Sequence, residues 1–135
     1  MILQESGEMY LETIYILSKT NSDVRSIDIA RKLNFSKPSV SRAINLLKED
    51  GYINVDSKGY IALSDKGYQV ASTIYDRHTI LSDFFKSIGV SEETATKDAC
   101  RIEHVISDET MDKIKALKKK AKRMRQHSGE EKRFP

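Results

Sequence analysis

The sequence is poor in cysteine. Cys100 stands alone, so no disulfide can close within the chain. A lone cysteine has three ordinary uses: core filler, reactive thiol or metal ligand. Long apolar runs are missing as well. None approaches the ~20 residues that a membrane-spanning helix needs. Residues 1–8 lack the basic start and apolar core of a secretory leader, so a cytoplasmic location is the default expectation. No internal repeat, phosphate-cradling glycine loop or open catalytic metal motif is visible. An enzyme is therefore not expected. A Cys100–His104 nucleophile pair would need an oxyanion site and a third orienting group, and the sequence points to neither.

What is present is a chain of 135 residues, 39% apolar and 32% charged, which suits a soluble, mostly helical protein. The net charge is only +3, but the charges are segregated. Residues 1–24 carry four acids against Lys19 alone. Residues 25–58 carry seven basic and four acidic side chains, and residues 59–112 five against ten. Residues 113–135 carry ten against two. A basic middle beside an acidic stretch implies a polyanion-binding part joined to a part with another task.

The spacing predicts a first helix over about 5–19, with a mixed apolar face of Met9, Ile14, Ile16 and Leu17. After a polar turn at 20–23, Ile29, Ala30 and Leu33 mark one face of a short second helix, with Ser26 as the expected N-cap. The run Asn34-Phe35-Ser36-Lys37-Pro38 breaks it. A third helix follows, with Pro38 in its first turn and Val40, Ile44 and Leu47 on its buried face. It stops at Asp50-Gly51. Two β-prone runs, 52–55 and 60–63, flank the turn Asp56-Ser57-Lys58-Gly59. Ser64-Asp65 then opens a long helix to about 88, Ser91 opens another, and Ser107 the last, with Met111, Ile114 and Leu117 as its apolar positions.

Helix, tight turn, helix and two-stranded hairpin is the winged helix-turn-helix order. In that arrangement the second helix of the pair enters the major groove, where base edges carry a distinctive code. The expected DNA-facing residues are Arg25, Ser36, Lys37, Pro38, Ser39, Ser41, Arg42 and Asn45, with Lys58 at the hairpin tip for an adjacent phosphate. Helix phase does not separate base from phosphate contacts.

A second constellation combines sulfur, imidazole and carboxylate. Cys100, Glu103 and His104 are spaced i, i+3, i+4, which is one helix face, and Met9 and Glu12 are spaced i, i+3 on the first helix. His78 lies in the long helix. This mixed set suits a borderline divalent ion rather than calcium or magnesium. Each residue also has an ordinary structural use.

These segments resemble the diphtheria-toxin-repressor type of metal-dependent regulators, which includes the manganese transport regulators. The resemblance rests on Glu8-Met9-Tyr10-Leu11-Glu12-Thr13-Ile14-Tyr15, on Asp28-Ile29-Ala30 with Pro38-Ser39-Val40-Ser41, and on the stretch from Asp98-Ala99-Cys100-Arg101-Ile102-Glu103-His104 to Val105-Ile106-Ser107-Asp108-Glu109. It covers about residues 5–117.

The resemblance implies a mainly α chain: a winged helix-turn-helix DNA-binding domain over 1–66, a helical metal-binding and dimerisation domain over 67–125, and a polar tail over 126–135. It implies the short form, without a third SH3-like domain. It further implies a cytoplasmic homodimeric repressor that binds double-stranded operator DNA when loaded with metal, controls metal-homeostasis genes, and has no membrane or small-molecule substrate.

The implied metal ligands are Met9, Glu12, His78, Cys100, Glu103 and His104. Met9 and Cys100 look like the iron branch, whereas Glu12 and His78 match ligands of the manganese branch. Ser82 and Thr96 stand where the iron branch has its ancillary carboxylate and histidine, so that ancillary site is not expected. Iron(II) is the first expectation and manganese(II) the second, and other divalent transition metals are expected to activate in vitro. Cys100 could bind through sulfur or through its backbone carbonyl. A winged-helix regulator with a non-functional metal site and a winged helix used for protein contacts are the open alternatives.

Overall fold

The computed structural model describes residues 3–133, with side chains described over 3–124 and at Gln126. It consists of helices α1 (Glu5–Ser18), α2 (Ser26–Leu33) and α3 (Lys37–Glu49), strands β1 (Ile53–Val55) and β2 (Ile61–Leu63), and helices α4 (Asp65–Ser87), α5 (Glu92–Ile102) and α6 (Asp108–Arg133). No helix among the described residues is long and apolar enough to cross a membrane. Two compact units result, Met1–Tyr75 and Asp76–Pro135, and the division falls inside α4.

In the first unit, α1 to α3 and the hairpin enclose one apolar core. Leu11, Ile14, Val24, Ile29, Val40 and Ile53 are its fully buried side chains. Each contributes about 1.5–3 kcal/mol relative to exposure. The buried residues of α1 run consecutively from Tyr10 to Ile14, so this helix is enclosed on more than one side. The anticipated face is only partly correct: Ile14 is buried, while Met9, Ile16 and Leu17 are half-buried.

The second helix starts one residue earlier than expected. Arg25, not Ser26, is its N-cap, and the Arg25 N–H donates to Asp28 Oδ2 at 2.9 Å. Its end is set by Asn34 in the left-handed region at φ 57°, a conformation that asparagine tolerates better than most residues. The third helix has Ser36 as N-cap, accepting from the Ser39 N–H, and Val40, Ile44 and Leu47 buried as the spacing requires.

The two strands pair antiparallel in the register Ile53–Leu63, Asn54–Ala62 and Val55–Ile61. Asp56 Oδ1 accepts from the N–H groups of Lys58 and Tyr60, and this side-chain turn closes the hairpin. Where the hairpin meets α4, Gly67 is buried against β1. An added Cβ would stand 2.0 Å from the Tyr52 carbonyl oxygen, so only glycine fits there.

The second unit is helical. Its core is small: Leu81, Ala99 and Met111 are buried, with Ile80, Phe85, Ile102, Ile106 and Ile114 packed around them. Ser91 caps α5 by accepting from the Thr94 N–H, and Ser107 Oγ accepts from the Thr110 N–H at the start of α6. The last helix continues through the basic stretch to Arg133.

Candidate metal centre and nucleic-acid interface

Within the second unit, α4 supplies His78 and the end of α5 supplies Glu103 and His104. Glu103 has no exposed surface at all. His78 Nδ1 lies 2.8 Å from Glu103 Oε2, with the ring N–H the natural donor to the carboxylate. This bond leaves His78 Nε2 free to act as a ligand atom, a common arrangement around metal-binding histidines. His104 Nε2 lies 3.4 Å from Glu103 Oε1, and its side chain is only 8% exposed. Among the described residues, Glu103 Oε1 is buried with no hydrogen-bond partner.

A buried carboxylate costs several kcal/mol unless a charge or hydrogen bonds compensate it. An orphaned carboxylate oxygen beside the His104 imidazole therefore fits a divalent cation. A carboxylate oxygen and an imidazole nitrogen are donors that suit a first-row transition ion.

The expectation that Cys100, Glu103 and His104 share one helical face needs a correction. The helix α5 ends at Ile102, Glu103 is its C-cap at φ −56° and ψ −27°, and His104 sits in the following turn. Cys100 is exposed on α5. Arg77, which carries no motif of its own, stabilises this helix end. Its Nη1 donates to the carbonyl oxygens of Glu103 and Ile106, both at 3.3 Å, and its Nη2 pairs with Asp108. A guanidinium thus satisfies carbonyls that the ending helix leaves without partners. One side chain next to His78 thereby holds the Glu103–His104 turn. A single arginine inside a helix has no spacing signature, so the sequence gives no sign of this role.

In the first unit, Glu12 is buried on α1 and Met9 is half-buried one turn before it. The Thr13 hydroxyl donates to the Met9 carbonyl at 2.8 Å.

The residues expected to face DNA are distributed as follows. Lys37, Pro38, Ser41, Arg42 and Asn45 are exposed on α3, and Lys58 is exposed in the hairpin turn. Pro38, Ser41, Arg42 and Asn45 follow the i, i+3, i+4, i+7 spacing of one helical face. Two serines are engaged within the protein. Ser36 caps α3, and its hydroxyl also donates to Ser39 Oγ at 2.8 Å, while Ser39 is half-buried. Arg25 lies 4.6 Å from the Tyr60 ring centroid and donates to Tyr60 Oη at 3.1 Å, so its guanidinium is held beside the hairpin. Tyr60 was not anticipated, and only its place next to the turn glycine hints at it.

Two family models match the chain. Residues 2–61 match the description "Iron dependent repressor, N-terminal DNA binding domain", and residues 64–131 match "Iron dependent repressor, metal binding and dimerisation domain". An uncharacterised HTH-type transcriptional regulator of Methanocaldococcus jannaschii is 33% identical over 122 residues, spanning 89% of this chain and 98% of that protein. The HTH-type transcriptional regulator MntR of Geobacillus kaustophilus is 35% identical over 109 residues, covering 81% of this chain and 77% of that one. Among solved structures, the manganese regulator SloR superposes with a TM-score of 0.74 at 25% identity, over 87% of this chain. The chain spans about half of that structure, 54% of its length. The winged-helix order, the helical second unit and these matches agree: the chain belongs to the iron-dependent repressor family of metal-dependent regulators, whose members are transcriptional regulators and not enzymes.

Proposed function

We propose that this chain is a metal-gated repressor that binds operator DNA as a homodimer and controls metal-homeostasis genes. The observation that carries the reading is the fully buried Glu103, whose Oε1 has no hydrogen-bond partner among the described residues and lies 3.4 Å from His104 Nε2. Bound there, a divalent ion would supply the positive charge that a buried carboxylate needs. The proposed ligands are Met9, Glu12, His78, Cys100, Glu103 and His104.

Ligands drawn from segments far apart in sequence make metal affinity depend on how the chain is arranged. Metal then shifts the population toward the arrangement it binds best. If that arrangement also binds DNA, a typical coupling of ~1–3 kcal/mol gives roughly 5–150-fold in DNA affinity. The exposed face of α3 with Arg42 and Asn45, and Lys58 in the hairpin, support the operator reading.

The dimer is supported by the second unit. Its core is small, and Ile88, Val105 and Leu117 stay more than half exposed. Ile88 and Leu117 line a groove of about 650 Å³ between α4 and α6, apolar surface of the kind a second copy covers.

Iron(II) is the first choice of ion, because methionine and cysteine are softer donors than oxygen. Manganese(II) is the second, favoured by the relatives named MntR and by the manganese regulator SloR.

The test is anaerobic retention of genomic fragments by the wild type and Cys100→Ala, with chelator, iron(II) or manganese(II). Retention only with metal, weakened in the variant, is the expected result, and the more effective ion identifies the corepressor. Retention indifferent to both metal and substitution would reduce the cluster to core packing.

A further inference from the structure

The last helix carries charge that neither the metal centre nor the winged helix uses. Over residues 113–125 the sequence holds eight lysines and arginines and no acid. Ile114 is the last residue of α6 to pack against the core of the second unit. From Leu117 to Met124 every side chain is exposed. Of the basic side chains, Lys118 pairs with Asp83 at 3.3 Å, and no other ion pair of this stretch occurs among the described residues.

At ~1.5 Å per residue, the 26-residue helix is ~40 Å long. Lys115 and Lys119, Lys118 and Lys122, and Lys119 and Arg123 are like-charged i, i+4 pairs, each of which weakens a helix. An exposed helical end whose charges repel one another gains most from a dense array of negative charge.

We propose that the exposed half of α6 is a second, sequence-independent nucleic-acid contact that binds the phosphates of duplex DNA. Charge complementarity selects the occupant. Duplex DNA presents one phosphate charge per ~1.7 Å of axis, a density that a row of lysines can match by releasing counterions. The inference rests on the operator-binding reading above. Duplex held by the winged helix is tethered to the same chain as α6, which raises its effective concentration for that helix. The contact involves no metal ligand, so it persists in chelator. Its role is to hold the regulator on DNA between specific sites.

The test compares the full chain with the variant Lys118→Gln, Lys119→Gln, Lys122→Gln, Arg123→Gln. Glutamine is a good helix former, and circular dichroism checks that helix content is kept. Binding to a random-sequence duplex of about 40 base pairs is measured by fluorescence anisotropy across a salt series, with chelator. The slope of log affinity against log salt should be shallower by up to about 3.6 in the variant, since each of four lost phosphate contacts removes ~0.9. Between 50 and 200 mM salt the wild type should then lose about a hundred-fold more affinity than the variant.

Equal slopes and affinities in the two proteins would overturn the inference. So would a loss confined to anionic phosphatidylserine vesicles with duplex binding unchanged. If instead neither protein binds metal-loaded genomic fragments, the operator-binding reading itself fails, and the two failures are thereby distinguished.

Discussion

Single residues set the centre's chemistry. Glu103 combines complete burial with an oxygen that has no hydrogen-bond partner among the described residues, a cost that a bound cation would offset. Arg77 acts one step further out, through the carbonyls of Glu103 and Ile106. We expect Arg77→Lys to keep the charge but lose the planar fork that reaches both carbonyls. Metal affinity, followed by anaerobic titration, should weaken about 10–100-fold, as for other groups that orient ligands. The urea midpoint of the metal-free protein should move much less, and equal losses in both would mark Arg77 as structural only. Gly67 makes the opposite case, a residue fixed by space. Gly67→Ala brings a Cβ to 2.0 Å from a backbone oxygen, so the hairpin or α4 must shift. A loss of at least about 1–3 kcal/mol in urea unfolding is expected, the range for overpacked sites.

At the scale of elements, much of this fold was legible because the local signals agree with one another. Ser36 before Pro38, Val40-Ile44-Leu47 at helical spacing and Gly51 after the last turn all point to the same third helix, found at Lys37–Glu49. The hairpin followed from two β-prone runs around Asp56-Ser57-Lys58-Gly59. What stayed hidden depends on partners distant in sequence. Enclosure of α1 from Tyr10 to Ile14 erases the amphipathic period that would have shown its face. Of the candidate metal ligands, the pairing of His78 with Glu103 was readable only as a list of suitable residue types, not as a 2.8 Å contact.

The caps give a prediction at this same scale. Ser64 Oγ accepts from the Gly67 N–H and donates to the Gly51 carbonyl, joining the end of α3 to the start of α4. Ser64→Ala should cost about 0.5–2 kcal/mol of stability, measured by denaturant melting, while Ser64→Asp restores part of it. On α3, Arg42→Ala should weaken duplex binding at fixed metal concentration and leave the metal titration unchanged. A parallel loss of metal affinity would contradict the separation of the two surfaces.

At the scale of the whole molecule, two family models divide the chain, one described as a DNA binding domain over residues 2–61 and one as a metal binding and dimerisation domain over 64–131. Thermodynamic linkage joins metal binding to DNA binding. If metal tightens DNA binding, DNA must tighten metal binding by the same factor. Dimerisation belongs to this scale too. Leu117→Glu places a charge in the groove shared by α4 and α6 and should shift the protein toward monomer in sedimentation equilibrium. An unchanged dimer would place the interface on another face.

The central claim is that a divalent ion held by Glu103 gates DNA binding. The most direct measurement is anaerobic DNA affinity with and without iron(II) and manganese(II), for the wild type and for Glu103→Gln, which keeps size and removes charge. The account predicts a metal-dependent gain of roughly 5–150-fold in the wild type and none in the variant. A variant that keeps the full metal-dependent gain would contradict it.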